Sequence, residues 1–132
     1  VLSYQAFGNR PNWFGVPTNR RLYEAIASHE TAHALTLHLA ASRSTTAVAN
    51  EYIAFVTMFA TLDPAHLELL LAAHPGIEFD SERELSFLAY ALGPLRFGVM
   101  AYRHFLQQPD RVAFFRAVLA RTALAFPYDY YY

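Results

Sequence analysis

His29-Glu30-Thr31-Ala32-His33 places two histidines four residues apart, with a glutamate beside the first. In a helix, residues four apart share one face and lie about one turn from each other. Two imidazoles placed this way can share one metal ion. Glu30 is turned about 100° from His29, so it can address a metal-bound water rather than the metal. Two nitrogen ligands, a nearby base and an open coordination position are what a zinc hydrolase requires. His29 and His33 are therefore the expected ligands of a Zn²⁺ ion, and Glu30 the expected general base.

The surrounding residues set the helix that must carry the pair. Leu22, Ile26, His29, His33 and Leu37 recur at spacings of four, three, four and four and form one stripe, which predicts a core-facing surface. Burying two imidazoles there is costly unless each finds a metal, a carbonyl or a carboxylate. Thr18 or Asn19 can cap this helix, which is predicted to run to about Ala41. Residues 42–46 are short and polar, a turn, and a second helix is predicted over about Thr46 to Leu62. It is apolar nearly all round and should be buried.

Glu51 is the exception within that second helix, in a stripe with Val48, Phe55, Met58 and Leu62. A carboxylate among such residues is either paired or bound to a metal. From His33 to Ala41 the first helix descends about 12 Å, and from Thr45 to Glu51 the second climbs back about 9 Å. A short turn makes the two antiparallel neighbours, so Glu51 returns close to the level of His33. His29, His33 and Glu51 then complete a two-histidine, one-carboxylate zinc set. The alternative is an ion pair between Glu51 and Arg43 or another arginine.

The rest of the chain reads as helices with clear breaks. Residues 1–17 hold two glycines and two prolines among aromatics, which argues against a helix there. Short strands at Val1 to Phe7 and near Trp13 to Val16 are expected, serving either as an edge for an extended substrate or as a packed arm. Asp63-Pro64 caps a short helix over residues 64–74, with His66 and His74 at the surface or a helix end. Ser81 and Glu84 form a capping box for a helix over Glu82 to Leu92. Gly93-Pro94 separates it from one over Leu95 to Gln107. A last helix is predicted over Arg111 to Ala125, with Val112, Phe115, Val118, Leu119 and Thr122 inward. The fold class is mainly α, with an active-site helix hairpin and at most a small N-terminal strand element.

Composition narrows the partners. The 132 residues suffice for one domain with a real core, and 55% hydrophobic against 16% charged content argues against disorder. A net charge of −1 leaves no nucleic-acid footprint. No uninterrupted apolar run reaches membrane-spanning length. With no cysteine, disulfides and thiolate metal sites are excluded. The first residue is Val1 rather than methionine, as expected of a part of a longer product; the compartment is left open, an extracytoplasmic one fitting a processed fragment.

His29-Glu-Thr-Ala-His33 followed by Asn50-Glu51-Tyr52-Ile53 resembles the gluzincins, thermolysin-like zinc metallopeptidases with H-E-x-x-H on one helix and a glutamate ligand on the next. The 17 residues between His33 and Glu51 are close to the usual gluzincin gap. The stretches Leu95 to Leu106 and Phe114 to Leu119 are similar to the C-terminal helices of uncharacterised peptidase-like members. The resemblance implies a zincin-like domain over residues 1–132, a peptide or protein substrate, Zn²⁺ as cofactor and Glu30 as base. The metzincin pattern is absent, since Thr36 and Leu39 stand where its glycine and third histidine belong. Two departures from the gluzincin pattern are informative. Phe55 occupies the position of the aspartate that normally supports a histidine ligand, so that support must come from elsewhere, such as a backbone carbonyl. Tyr90, Arg96, Tyr102 and His104 are the candidates for a transition-state donor. The competing readings are a catalytically inactive zinc-binding or interaction domain, and a helical domain with structural histidines.

Overall fold

The computed structural model describes residues 3–13, 15–39, 45–77 and 81–125. Within them the chain is mainly helical: α1 (Tyr4–Gly8), α2 (Arg20–Leu39), α3 (Ala47–Thr61), α4 (Pro64–Ala72), α5 (Phe87–Leu92), α6 (Pro94–Gln107) and α7 (Arg111–Leu119). A two-stranded antiparallel sheet, β1 (Asn12–Trp13) and β2 (Val16–Pro17), lies near the N-terminus, with Trp13 opposite Val16.

α3 is the centre of the fold. It is buried on almost every side from Ala47 to Phe59. α2 packs along one flank and α6 along another. The start of α3 is fixed by a side chain. Thr46 Oγ1 accepts from the Ala49 N–H at its start. After its end, Asp63 caps α4 and Pro64 occupies the first turn of that helix. α2 starts as expected at Asn19, whose Oδ1 accepts from the Leu22 N–H at 2.9 Å. The predicted end near Ala41, the turn and Arg43 lie outside the described residues.

α3 and α6 approach closely where Gly98 faces Phe55. A methyl at Gly98 would overlap three ring carbons of Phe55. That ring cannot simply retreat, because His29 packs edge-on against it with centroids 4.6 Å apart, and Phe59 and Phe97 also adjoin it. Gly98→Ala gains about 1 kcal/mol of helix propensity but overpacks this contact at about 1–3 kcal/mol. The expected result is a net loss of up to about 2 kcal/mol in urea unfolding; greater stability would contradict the close contact.

Four expectations need correction. The N-terminal segment is not a strand from Val1 to Phe7. Residues Tyr4–Gly8 form α1, because Ser3 is extended and its Oγ accepts from the Ala6 N–H. Phe7 is buried against Tyr23, so this segment is a packed arm. The helix predicted over Glu82 to Leu92 is divided. Glu84 does accept from the Ser81 N–H at 3.2 Å, but only a 3₁₀ turn (Glu82–Glu84) follows. Buried Leu85 leaves the helical conformation, and Ser86 caps a new helix by accepting from the Ala89 N–H.

The third and fourth corrections concern helix faces and ends. Leu37 is 50% exposed, not core-facing. Over the fifteen residues from Leu22 the stripe drifts by about 60° at 3.6 residues per turn, and Thr36 takes the buried position instead. The last helix ends at Leu119 rather than Ala125. The Thr122 N–H bonds to the Ala117 carbonyl and the Arg121 N–H to that of Val118. This is a Schellman closure with Arg121, at φ 60°, in the left-handed position usually held by glycine. It turns Leu124 back into the core and leaves Thr122 exposed; Val112, expected inward, is exposed in the first turn of α7.

Candidate metal centre

α2 and α3 bring His29, His33 and Glu51 together. One ligand atom from each, all three within 4.8 Å of one another, can surround a single point. His29 Nε2 lies 3.6 Å from Glu51 Oε2, and His33 Nε2 lies 3.6 Å from Glu51 Oε1. The two Nε2 atoms are 3.0 Å apart. Ligands about 2.0–2.1 Å from a tetrahedral zinc stand about 3.3 Å from one another, so these separations suit a small tetrahedral cation. The donor set is also chemically apt: two imidazole nitrogens and one carboxylate.

The environment is largely dry. Glu51 is buried, and the side chains of His29 and His33 are mostly so. Phe55, one turn after Glu51, forms one wall by packing edge-on against His29. The expected support for the imidazoles by a backbone carbonyl is not found: Nδ1 of His29 and Nδ1 of His33 have no hydrogen-bond partner among the described residues. Glu30 is exposed, one residue round α2 from His29.

Burial, and then the neighbouring His33, lowers the His29 pKa from 6.5 to about 4. The neutral imidazole, the form that offers a nitrogen lone pair, therefore persists well into acid. The same shift has a cost in the metal-free protein. Between pH 4 and 6.5 the unfolded chain binds a proton at this residue more readily than the folded one, so stability falls as pH drops through that window. The drop amounts to about 3 kcal/mol over the window, at 1.36 kcal/mol per pKa unit. Urea melts in chelator from pH 7 to 4 measure it, and His29→Gln should flatten the dependence by that amount. An unchanged slope in His29→Gln would assign the effect elsewhere.

The four candidate donors separate by environment. Tyr102 is buried, its ring edge-on to Phe59. His104 is buried with both ring nitrogens engaged, Nδ1 by Tyr52 and Nε2 by Glu82. Both belong to the core. Arg96 is exposed on α6. Tyr90 is half-buried and joins the site through a run of rings: Tyr90 to Phe97, Phe97 to Phe55, Phe55 to His29.

Sequence reasoning missed two polar networks. His66, expected at a helix end, donates from Nδ1 to Asp63 at 2.6 Å and receives the Asn19 amide on Nε2. It thereby links the caps of α2 and α4. The Asp63-x-x-His66 spacing is the one local signal for it. The Tyr52–His104–Glu82 chain has no such signal, because its members lie 52 and 22 positions apart. A groove of about 590 Å³ also opens on α2, lined by Leu35, Leu39, Ile53, Phe115 and Leu119 among others. Leu35 lies about 200° round the helix from His33, so this groove and the histidine pair are on different sides of α2.

Fold and site together define a small helical domain whose central helix pair gathers two histidines and a glutamate in its interior. The chain belongs to a family of unknown function, DUF6639, whose profile matches residues 1–126. Neither the curated proteins nor the solved structures gave a match.

Proposed function

We propose that this chain is a zinc-dependent hydrolase acting on peptides, with His29, His33 and Glu51 as ligands and Glu30 as general base. The observation that supports this best is the convergence of the three ligand atoms at separations suited to a tetrahedral zinc. The resemblance to gluzincins rests on the same residues. When bound, zinc supplies a Lewis acid that polarises a scissile carbonyl and lowers the pKa of water.

The chain's own residues carry the proton chemistry. His29 and His33 present their Nε2 atoms toward Glu51. Glu30, exposed and turned about 100° from His29, takes a proton from the attacking water and passes it to the leaving amine. Tyr90 and Arg96 are the remaining candidates to steady the developing oxyanion, since Tyr102 and His104 are committed to the core. No helix among the described residues is long and apolar enough to cross a membrane.

The test is hydrolysis of a mixed peptide library by zinc-loaded protein, with and without chelator. Chelator-sensitive cleavage is expected. A zinc-loaded protein that cleaves nothing would favour the second reading, a zinc-binding domain without turnover. That second reading draws on the placement of Phe55, an apolar ring against His29 where a supporting carboxylate belongs in the gluzincin pattern.

A further inference from the structure

We infer that Glu82, His104 and Tyr52 form a positioning chain that fixes the rotation of α3 and so holds Glu51 against the two histidines. The inference rests on the metal-site reading and extends it to residues outside the site. Tyr52 directly follows Glu51 and is fully buried. Its hydroxyl lies 2.9 Å from His104 Nδ1, and His104 Nε2 lies 3.0 Å from Glu82 Oε1. A carboxylate only accepts, so His104 Nε2–H donates to Glu82. The Gln108 amide beside the same nitrogen donates instead to the His104 carbonyl at 3.1 Å, and Nδ1 is the acceptor for the Tyr52 O–H. Each donor finds an acceptor, and the order fixes the imidazole tautomer.

The chain ties three elements together: α3 through Tyr52, α6 through His104 and the 3₁₀ turn through Glu82. Tyr52 and His104 are also gripped by Phe114 of α7, with ring centroids 5.8 and 5.1 Å away. The leverage on the metal ligand is geometric. A side chain about 6 Å from a helix axis moves about 1 Å for a 10° rotation of that helix. A displacement of that size is about twice the tolerance of a well-formed site. Glu51 has no freedom to compensate, since it is 4% exposed on a helix buried on nearly all sides. Glu82 is half-exposed, so the chain runs from the surface to the residue beside the ligand.

Zinc affinity by chelator competition tests this, measured on the parent, Tyr52→Phe, Glu82→Ala, Glu82→Gln and Leu70→Ala. Leu70, buried on α4, serves as a core truncation outside the chain. Tyr52→Phe and Glu82→Ala are expected to weaken zinc binding about tenfold, the lower end for outer-shell partners. Glu82→Gln retains an oxygen that accepts from His104 and should bind as the parent does. Leu70→Ala should melt earlier with affinity unchanged. Parent-like affinity in Tyr52→Phe would overturn the inference, as would an equal loss in Leu70→Ala, which would reduce the effect to stability alone. A parent that takes up no zinc would instead overturn the metal-site reading on which the inference stands.

Discussion

Glu30→Gln is expected to keep its zinc and to lose at least about 10²-fold in peptide cleavage, the lower end for removing a positioned general base. The two parts of this result have separate causes. Zinc retention follows because Glu30 is exposed on α2 while the ligand atoms of His29, His33 and Glu51 converge without it. The loss follows because glutamine matches glutamate in shape and hydrogen-bonding reach but its amide cannot take up the proton. Folding should be undisturbed, since an exposed glutamate-to-glutamine change falls outside the mechanisms that strongly destabilise proteins. Zinc content, circular dichroism and library cleavage on the parent and variant decide the matter. Equal cleavage by both would remove Glu30 from the mechanism.

The second large effect is loss of the metal itself. Glu51→Ala and His33→Ala should each weaken zinc binding by more than about 100-fold, beyond the range that changes outside the ligand set produce, and cleavage should vanish with the metal. Glu51→Ala removes the one carboxylate in the set and leaves two imidazoles to compensate a dication. His33→Ala leaves one imidazole and Glu51. The contrast with Glu30→Gln is what identifies the roles: one variant uncouples binding from turnover, the others abolish both. If Glu51→Ala bound zinc as tightly as the parent, the buried glutamate would be a structural partner of the histidines, and the ligand set would need another member.

Helix starts were the legible part of the fold. Asn19, Thr46 and Asp63-Pro64 act locally, through a side-chain oxygen reaching an N–H three residues on, and a local cause leaves a local mark. Where two local signals competed, the reading failed. Ser81 with Glu84 promised one helix, but Ser86 offered a second cap five residues later, and burial of Leu85 broke the run. At the N-terminus, the glycines and prolines of residues 1–17 masked a cap at Ser3 and a single turn of helix after it. The end of α7 left no mark at all, because its left-handed residue is Arg121 rather than glycine.

The histidine pair and Glu51 were legible for the same reason. Two of the three share a helix, and the third lies one short connection away, so helix geometry alone brings them level. Leu37 shows the limit of that geometry, since a small angular drift repeated over four turns carried it to the surface. The Tyr52–His104–Glu82 chain depends on α3, α6 and the 3₁₀ turn meeting in space, and no spacing within one element encodes such a meeting. The aromatic wall at Phe55 is similar, because the space for its ring is made by Gly98 on another helix.

Elemental analysis of protein purified without added metal tests most directly the proposed binding of zinc by His29, His33 and Glu51. The predicted result is about one zinc per chain, removed by chelator and restored on adding zinc back, as expected of a single site with three protein ligands. Protein that carries no zinc after purification and takes up none on titration would contradict the account.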